Sequence, residues 1–423
     1  MTEAFLFHAW LCRLFNNTHL QTSEGEPLRI IHPGLLNTDA GPDFMNARIR
    51  IGDTLWAGNV EIHVKASDWK KHLHQHDHAY SNVILHVVYE ADEPVKRPDG
   101  STIPVLVLKD IIDGNAWKNY QYLLSNRLWI PCAAQLEEIP AVVTGMQLSR
   151  MVTERLERKT AEILDGLKAT RHNWEETFYR HLARNFGFKV NAIPFELLAK
   201  KIPENLLAKY KRSQLQTEAI LFGAAGLLED NADGEHPVRL KEEFTFISHK
   251  FGLKPLEGHL WKFLRLRPAN FPTIRIAQFS SLVVKSQHLF SVILETDPLP
   301  ELVKLFSVDV SPYWQNHFSF GHPSPAMNKP LGISSINNLI INTIVPFLFV
   351  YGNQKGLPAF RERALSYLEQ LPAEKNNIIS GWEGIGIKPK SAAETQGLIE
   401  LKNNYCDAKK CLHCSIGNKI LRG

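Results

Sequence analysis

Short runs of alternating apolar and polar residues near the start of the chain predict a β-sheet. The runs 44–51 and 54–65 flank Gly52-Asp53, a residue pair typical of tight turns, so they predict a β-hairpin. Side chains alternate between the two faces of a strand, so the second run is expected to have an apolar face and a polar face. The apolar face carries Val60, Ile62 and Val64, and the polar face carries Asn59, Glu61, His63 and Lys65.

The elements around this hairpin predict an α/β domain. Apolar residues at helical spacing indicate a helix over 3–15, and a short strand follows at 28–32. After the hairpin, residues 68–77 have a helical pattern and residues 82–90 form another strand. The predicted order is therefore αβββαβ, and a last short strand at 104–108 ends this part of the chain.

Beyond residue 112 the pattern changes to helical periodicity, which is most continuous over 140–230. A polar stretch near 229–238 is the best candidate for a boundary inside this helical part. We therefore predict an α/β domain over 1–112, a mainly α-helical domain over 113–400 and a cysteine-rich tail over 401–423.

Composition narrows the class of protein. The fractions of apolar and charged residues are those of a globular chain, and the net charge of +4 permits an anionic partner without requiring one. The most apolar tract, 331–351, is interrupted by three asparagines and Pro346, which favours a buried helix over a membrane span. The first residues lack the basic leader of a signal peptide, so we expect a cytoplasmic protein without a membrane partner.

The hairpin places candidate metal ligands near one another. With a three-residue turn, Asp43 would lie across from His63 and on the same face as Glu61. With a two-residue turn the register slips by one residue and this coincidence is lost. In the first register two carboxylates and a basic group converge, as they do in sites for hard divalent cations such as Mg²⁺.

Pro42-Asp43, the hairpin and Glu61-Ile62-His63 together resemble the signature of the PD-(D/E)XK nuclease superfamily, and the order of predicted elements resembles its core. The resemblance implies a restriction-endonuclease-like fold and a DNA partner. It also implies hydrolysis of phosphodiester bonds with Mg²⁺ or Mn²⁺ held by Asp43 and Glu61. The whole chain, with its GPDF, VEIH and SDW motifs, also resembles a bacterial family known only as a domain of unknown function.

The same resemblance assigns roles to three more residues. His63 stands where the superfamily has a lysine that orients the attacking water, and Lys65, further along the same face, could replace it. Glu3 is the candidate for a supporting acidic residue in the first helix. Because His63 replaces the expected lysine, a catalytically inactive nuclease fold that only binds nucleic acid or a protein remains an alternative.

A histidine-rich segment follows the hairpin and carries His72, His74, His76 and His78. Histidines can bind a transition metal or phosphate. At alternate positions these four cannot share one helix face, so a solvated connector is the simpler interpretation, with His74 or His78 as candidates to line the cleft. His86, in the next strand, is interpreted as a residue hydrogen-bonded in place. A histidine-rich transition-metal hydrolase is the third functional interpretation.

The C-terminal cysteines predict a structural metal site. Cys406, Cys411 and Cys414 can place three thiolates around one metal or cluster, and His413 or Cys132 could supply the fourth ligand. Some nucleases of the same superfamily carry an iron–sulfur cluster built from one distant cysteine and three C-terminal ones, and Cys132 with the three tail cysteines resembles that plan. Zinc and a [4Fe–4S] cluster both remain open.

Overall fold

The computed structural model describes residues 1–228, 234–286 and 288–423. The chain forms two compact units: the first consists of Met1–Leu148 with Glu400–Gly423, and the second of Ser149–Ile399. The predicted division at residue 112 stays a prediction. The first half of the polar stretch near 229–238 lies outside the described residues, and a helix begins at Glu235.

The first unit is built on a six-stranded mixed sheet. Its strands lie in the order β1-β3-β4-β5-β6, and β2 pairs with β3. The strands β1, β3 and β4 are antiparallel neighbours, whereas β4, β5 and β6 run parallel. Their bounds are β1 Leu28–His32, β2 Leu35–Leu36, β3 Phe44–Ile51, β4 Thr54–Lys65, β5 Val83–Glu90 and β6 Val105–Val107.

Three helices accompany the sheet: α1 Glu3–Cys12, α2 Asp68–Lys71 and α3 Gly114–Ser125. The Thr2 hydroxyl accepts a hydrogen bond from the Phe5 N–H and caps the start of α1. The helix ends three residues before the predicted end because Arg13 adopts the left-handed conformation, with φ 55°. The helix predicted over 68–77 is shorter still, because Leu73 also has a positive φ, 63°. Short 3₁₀ helices follow at His74–His76 and His78–Tyr80.

Both faces of the sheet are covered at its centre, where β4 and β5 pair. One face packs Trp10 of α1 against apolar residues such as Val60 and Leu85. The opposite face packs Trp69 and Tyr80 against strand residues of β5. The polar face of β4 is therefore buried from Asn59 to His63, and Glu61 and His63 are only 4% and 2% exposed.

The second unit is almost entirely helical around one large core. Its described helices are α4 Ala141–Ala169 (which begins in the first unit), α5 Trp174–Phe186, α6 Phe188–Lys201, α7 Glu204–Tyr210, α8 Gln214–Ala224, α9 Glu235–Phe251, α10 Pro272–Lys285, α11 Leu289–Glu295, α12 Leu299–Phe306, α13 Pro312–Gln315, α14 Ile333–Leu339, α15 Val345–Lys355, α16 Pro358–Gln370, α17 Asn377–Gly384 and α18 Ala392–Leu401. A two-stranded hairpin, β7 His317–Ser319 and β8 His322–Pro323, lies among them. The last helix, α19 Ser415–Arg422, belongs to the first unit. The coarse prediction of a sheet-containing N-terminal part followed by a mainly helical part is confirmed.

One stretch of the second unit, Ile333–Lys355, is long and apolar enough to cross a membrane by length and composition. However, 67% of its most apolar window is buried in the protein, and residues such as Ile340 and Val345 belong to the core of the second unit. Burial of this extent is what a core helix requires.

Candidate metal centre

Asp43 and Glu61 meet through a local distortion of the hairpin. The turn has two residues, since Ile51 pairs with Thr54, which is the register that would separate the two carboxylates. Between Ala47 and Phe44 the register shifts by one residue, and Asn46 takes a positive φ of 58°. This β-bulge moves the pairing by one residue in the direction opposite to that of a three-residue turn, so Phe44 pairs with Val60 and Asp43 lies beside Glu61 rather than across from His63 as predicted.

Each of the two carboxylates accepts a hydrogen bond from the backbone of the other strand. The Asp43 N–H donates to Glu61 Oε2 at 3.0 Å, and the Ile62 N–H donates to Asp43 Oδ2 at 2.9 Å. One oxygen of each carboxylate is thereby fixed, and the acid groups are held in one orientation before any ligand binds.

The carboxylate pair is electrostatically unfavourable in the absence of a cation. Burial and the negative charge of Glu61 raise the pKa of Asp43, and the hydrogen bond from Ile62 offsets only part of that rise. Burial also raises the pKa of Glu3, which Asp68 and Glu61 raise further and His72 lowers. Two imidazole nitrogens lie near Glu61, at 3.3 Å from Oε1 to His74 Nε2 and 3.7 Å to His63 Nε2.

A cluster of imidazoles lies beside this carboxylate pair. His63 Nδ1 is 2.9 Å from His86 Nε2, and His63 Nε2 is 3.1 Å from His72 Nδ1. One ligand nitrogen from each of His63, His72 and His74 lies within 4.8 Å of the other two. Burial, together with the positive charge that the neighbouring histidines would carry, lowers the pKa of His63 to about 2. Burial likewise lowers the pKa of His86 to about 3, so both rings are neutral at physiological pH.

The backbone after β4 explains how alternate histidines share one site. Because α2 ends at Lys71 and Leu73 is left-handed, His72 and His74 do not follow the geometry of one helix. Tyr80 stacks on His74 with 3.9 Å between ring centroids, and Trp69 packs against the same imidazole edge-on at 5.3 Å. His74 is buried as a result, whereas His72 is exposed.

The structure brings together most of the residues that the sequence singles out. Asp43, Glu61, His63 and His74 lie in one cluster, and Glu3 is close enough to influence its charge. Two predicted residues do not join them. Lys65 is exposed and its charge acts on Asp92, and His78 is an exposed residue of the second 3₁₀ helix.

Sequence reasoning missed the parts played by His72 and His86. His86 reaches the site because β5 pairs in parallel with β4, opposite Glu61. The sheet as a whole sets that register. In the sequence, however, His86 is a polar residue within an otherwise apolar strand, and this could have indicated a special role. His72 was set aside on a helical-spacing argument that the left-handed Leu73 makes inapplicable.

Four cysteines of the first unit converge although more than 270 residues separate Cys132 from the tail. Three of them, Cys132, Cys411 and Cys414, are 8–9% exposed. Burial raises the pKa of the Cys132 thiol to about 12, with further contributions from Cys414 and Cys411. Burial also raises the pKa of Cys406, with contributions from the other three thiols. The four sulfurs therefore lie close enough to influence one another's charge.

Hydrogen bonds fix the tail beside the segment that carries Cys132. The Lys409 ammonium donates to the carbonyl of Asn126 at 3.2 Å and also to that of Leu124. Further along, the Ser415 N–H donates to Gln147 Oε1 at 2.8 Å. Gly417 has no room for a side chain, because an added Cβ would lie 2.2 Å from the Cys411 carbonyl oxygen. The convergence of the cysteines thus rests on specific contacts.

Comparison with curated proteins and with solved structures gives no significant match. A family model described as "Protein of unknown function (DUF2851)" matches residues 3–377. The matched range contains the whole carboxylate and histidine cluster and Cys132, and it ends before the three tail cysteines. The chain therefore belongs to the DUF2851 family of proteins of unknown function.

Proposed function

We propose that this protein is a metal-dependent nuclease that hydrolyses phosphodiester bonds in DNA, with Mg²⁺ or Mn²⁺ held by Asp43 and Glu61. The observation that carries the proposal is the contact between the half-buried Asp43 and the buried Glu61, beside which lie the imidazoles of His63 and His74. Buried charges are normally paired or bind a metal. Two carboxylates with little compensating charge fit a divalent cation, so the residues present suit the ion that the nuclease resemblance implies.

The fold supports the same proposal. A helix precedes the hairpin, Asp43 stands at the start of β3, and Glu61 and His63 lie on β4, which is antiparallel to β3 and parallel to β5. This arrangement agrees with the αβββαβ order expected of a restriction-endonuclease-like core. The motif thus lies on adjacent strands of one buried sheet.

The chain's own residues have distinct tasks in the proposed reaction. When bound, the divalent ion would neutralise charge that develops on the phosphate and make a water molecule more acidic. The backbone N–H groups of Asp43 and Ile62 keep the carboxylates in place for binding. His63, neutral and fixed by His86, occupies the position of the missing lysine and would orient the attacking water. The exposed Lys65 is the weaker candidate for that role.

A second function deserves a test because one observation favours it. The lysine position is occupied by His63, and Lys65 is exposed with its charge acting on Asp92. A nuclease fold that has lost catalysis and binds nucleic acid or a protein would show the same substitution. Cleavage assays and binding assays together distinguish the two functions.

We also propose that Cys132, Cys406, Cys411 and Cys414 hold a structural metal, either zinc or a [4Fe–4S] cluster. Burial and the neighbouring thiols raise the pKa of Cys132 and of Cys406, which supports a common site for the four sulfurs. Four cysteine thiolates are a ligand set that zinc and iron–sulfur clusters both use.

Cleavage of single- and double-stranded DNA in Mg²⁺ or Mn²⁺ tests the proposed nuclease. We expect Asp43→Asn and Glu61→Gln to lower the cleavage rate at least about 100-fold, because each removes a metal-binding charge while keeping side-chain shape. His78→Ala, which changes an exposed histidine outside the cluster, is the matched control and should cleave within about twofold of the parent.

Two results would contradict the proposal. Full activity in both carboxylate variants, with circular dichroism unchanged, would place any nuclease activity elsewhere. Absence of cleavage by the parent protein, together with retained DNA binding, would favour the inactive binding module.

A further inference from the structure

We propose that His63, His72 and His74, together with Glu61, form a binding site for a transition-metal ion such as Zn²⁺, Co²⁺, Mn²⁺ or Fe²⁺. This site is additional to the carboxylate pair, although Glu61 belongs to both. Its part in catalysis rests on the proposed nuclease function, but its ability to bind a metal can be tested without it.

The spacing of the donor atoms carries the inference. Two ligands on one ion, each about 2.1 Å from it, lie roughly 3.0–3.5 Å apart in common coordination geometries. His63 Nε2 and His72 Nδ1 are 3.1 Å apart, and His74 Nε2 is 3.3 Å from Glu61 Oε1. The three imidazoles each place a nitrogen within 4.8 Å of the other two. Two pairs of donor atoms thus have the spacing of a coordination shell, and the three imidazole nitrogens lie near enough to one another to bind a common ion.

The surroundings of the imidazoles are those of ligands held in place. His86 makes a second hydrogen bond to His63, at 2.9 Å to Nδ1, and such a bond to the far nitrogen fixes which nitrogen of a metal-binding histidine is free. Tyr80 and Trp69 pack against His74 and limit its rotation. His72 is exposed, which gives an ion a route from solvent.

A purely structural histidine cluster explains these contacts less well. The rings of His72, His74 and His86 pack against that of His63 with centroids 4.9–5.4 Å apart. His74 is only 9% exposed, and its Nε2 lies 3.3 Å from Glu61 Oε1 without a hydrogen bond to any residue that the structure describes. An ion bound by both atoms would satisfy this buried nitrogen.

The site accounts for the replacement of lysine at position 63. Imidazole ligands favour Zn²⁺, Co²⁺ and Fe²⁺ over Mg²⁺, which prefers oxygen. An ion bound by His63 would supply positive charge at the place where the nuclease superfamily has an ammonium group. The positive charge at this position would then come from a metal ion instead of a lysine side chain.

Titration of the chelator-treated protein with Co²⁺, followed by calorimetry and visible absorption, tests the site directly. We expect one cobalt ion bound without a thiolate-to-cobalt band, and binding weakened at least about 100-fold in His72→Ala and His74→Ala. Any cobalt at the cysteines is recognised by its thiolate band, which these variants should leave unchanged. His76→Ala and His78→Ala remove exposed histidines of the same segment and should bind cobalt like the parent.

Equal cobalt binding by the parent and His72→Ala would overturn the inference, and because His72 is exposed this variant is expected to fold. The result is separable from that of the cleavage assay. A protein that binds cobalt through these histidines but leaves DNA intact refutes only the nuclease proposal. A protein that cleaves DNA in Mg²⁺ but binds no cobalt at the histidines refutes only this site.

Discussion

A half-buried histidine outside the candidate site, His181, is expected to make the second unit sensitive to acid. His181 of α5 packs edge-on against Phe347, with 5.2 Å between ring centroids. Burial lowers the pKa of His181 to about 4, and the surrounding charges, Glu162 first among them, largely oppose one another. The ring is therefore neutral in the folded protein across the range in which an unfolded chain takes up a proton.

The sign of the resulting pH dependence follows from this difference. Below the unfolded pKa of about 6.5 the unfolded state binds the proton and the folded state does not, so stability falls as pH falls. Between pH 6.5 and 4 this one group should contribute a slope of about 1.4 kcal/mol per pH unit at most. We expect His181→Gln to flatten the pH dependence of urea unfolding in that window. His249→Gln, which changes an exposed histidine of α9, should leave the slope unchanged; an equal slope in both variants would contradict the prediction.

At the scale of single residues, the sequence could identify which side chains have suitable chemistry, but not all of the residues that lie beside them in the fold. Asp43, Glu61 and His63 are identifiable because the hairpin and the motif specify them within about twenty residues of one another. His86 could not be assigned, because its position depends on the parallel pairing of β5 with β4. The exposure of Lys65 could not be foreseen either, since strand alternation places it on the same face as Glu61.

At the scale of elements, β4 depends on a glycine at a close approach. Gly58 has no space for a side chain, because an added Cβ would lie 2.4 Å from Ile84 Cγ2 and 2.6 Å from the Asn82 carbonyl oxygen. We expect Gly58→Ala to lower the free energy of unfolding by about 1–3 kcal/mol through overpacking. It should also lower any metal binding, because Glu61 lies three residues along the same strand.

Gly145→Ala is the matched control for this prediction. Gly145 lies in α4 with no atom within 4 Å of an added Cβ, so alanine there should stabilise the protein by about 0.5–1 kcal/mol. Chemical denaturation of both variants measures the difference. Equal stabilities would show that the sheet adjusts around residue 58 at no cost.

The elements themselves were largely predictable, and the deviations have local causes. Periodicity located five of the six strands of the sheet to within a residue or two, because alternating burial requires alternating apolar and polar residues. The two-residue strand β2, which falls in a predicted loop, was not predicted. The bulge at Asn46 and the break at Leu73 were not predicted, because each depends on one residue with positive φ that tertiary packing holds in place. Those two deviations are what bring Asp43 and His74 into the cluster.

At the scale of the whole molecule, the cysteines are expected to hold the first unit together. We expect Cys411→Ser to remove most of the bound iron or zinc and to lower the free energy of unfolding by about 2–4 kcal/mol, because a structural metal contributes to folding directly. Metal analysis and thermal denaturation of the same preparations measure both effects. Cys12→Ser, in α1, should change neither, and an unchanged metal content in Cys411→Ser would contradict the structural site.

The division into units was harder to predict than the elements. A linear reading of the chain treats residues 401–423 as a separate tail, whereas Glu400–Gly423 folds with Met1–Leu148. The contacts that achieve this, such as the hydrogen bond from Asn119 to the Ile420 carbonyl at 2.9 Å, join residues about 300 positions apart. Sequence periodicity carries no information about contacts at such separations, although the cysteine pattern suggested that one existed.

The discontinuity of the first unit has a consequence for synthesis of the protein. Its two segments are translated on either side of the second unit, Ser149–Ile399. At 5–20 residues per second, the ribosome needs on the order of 10–50 s to make these roughly 250 intervening residues. During that interval α3 and the segment around Cys132 have been made, but residues 400–423, which they contact in the folded protein, have not. At the proposed structural metal site, the four cysteines can therefore bind one metal together only after the last segment of the chain has been made.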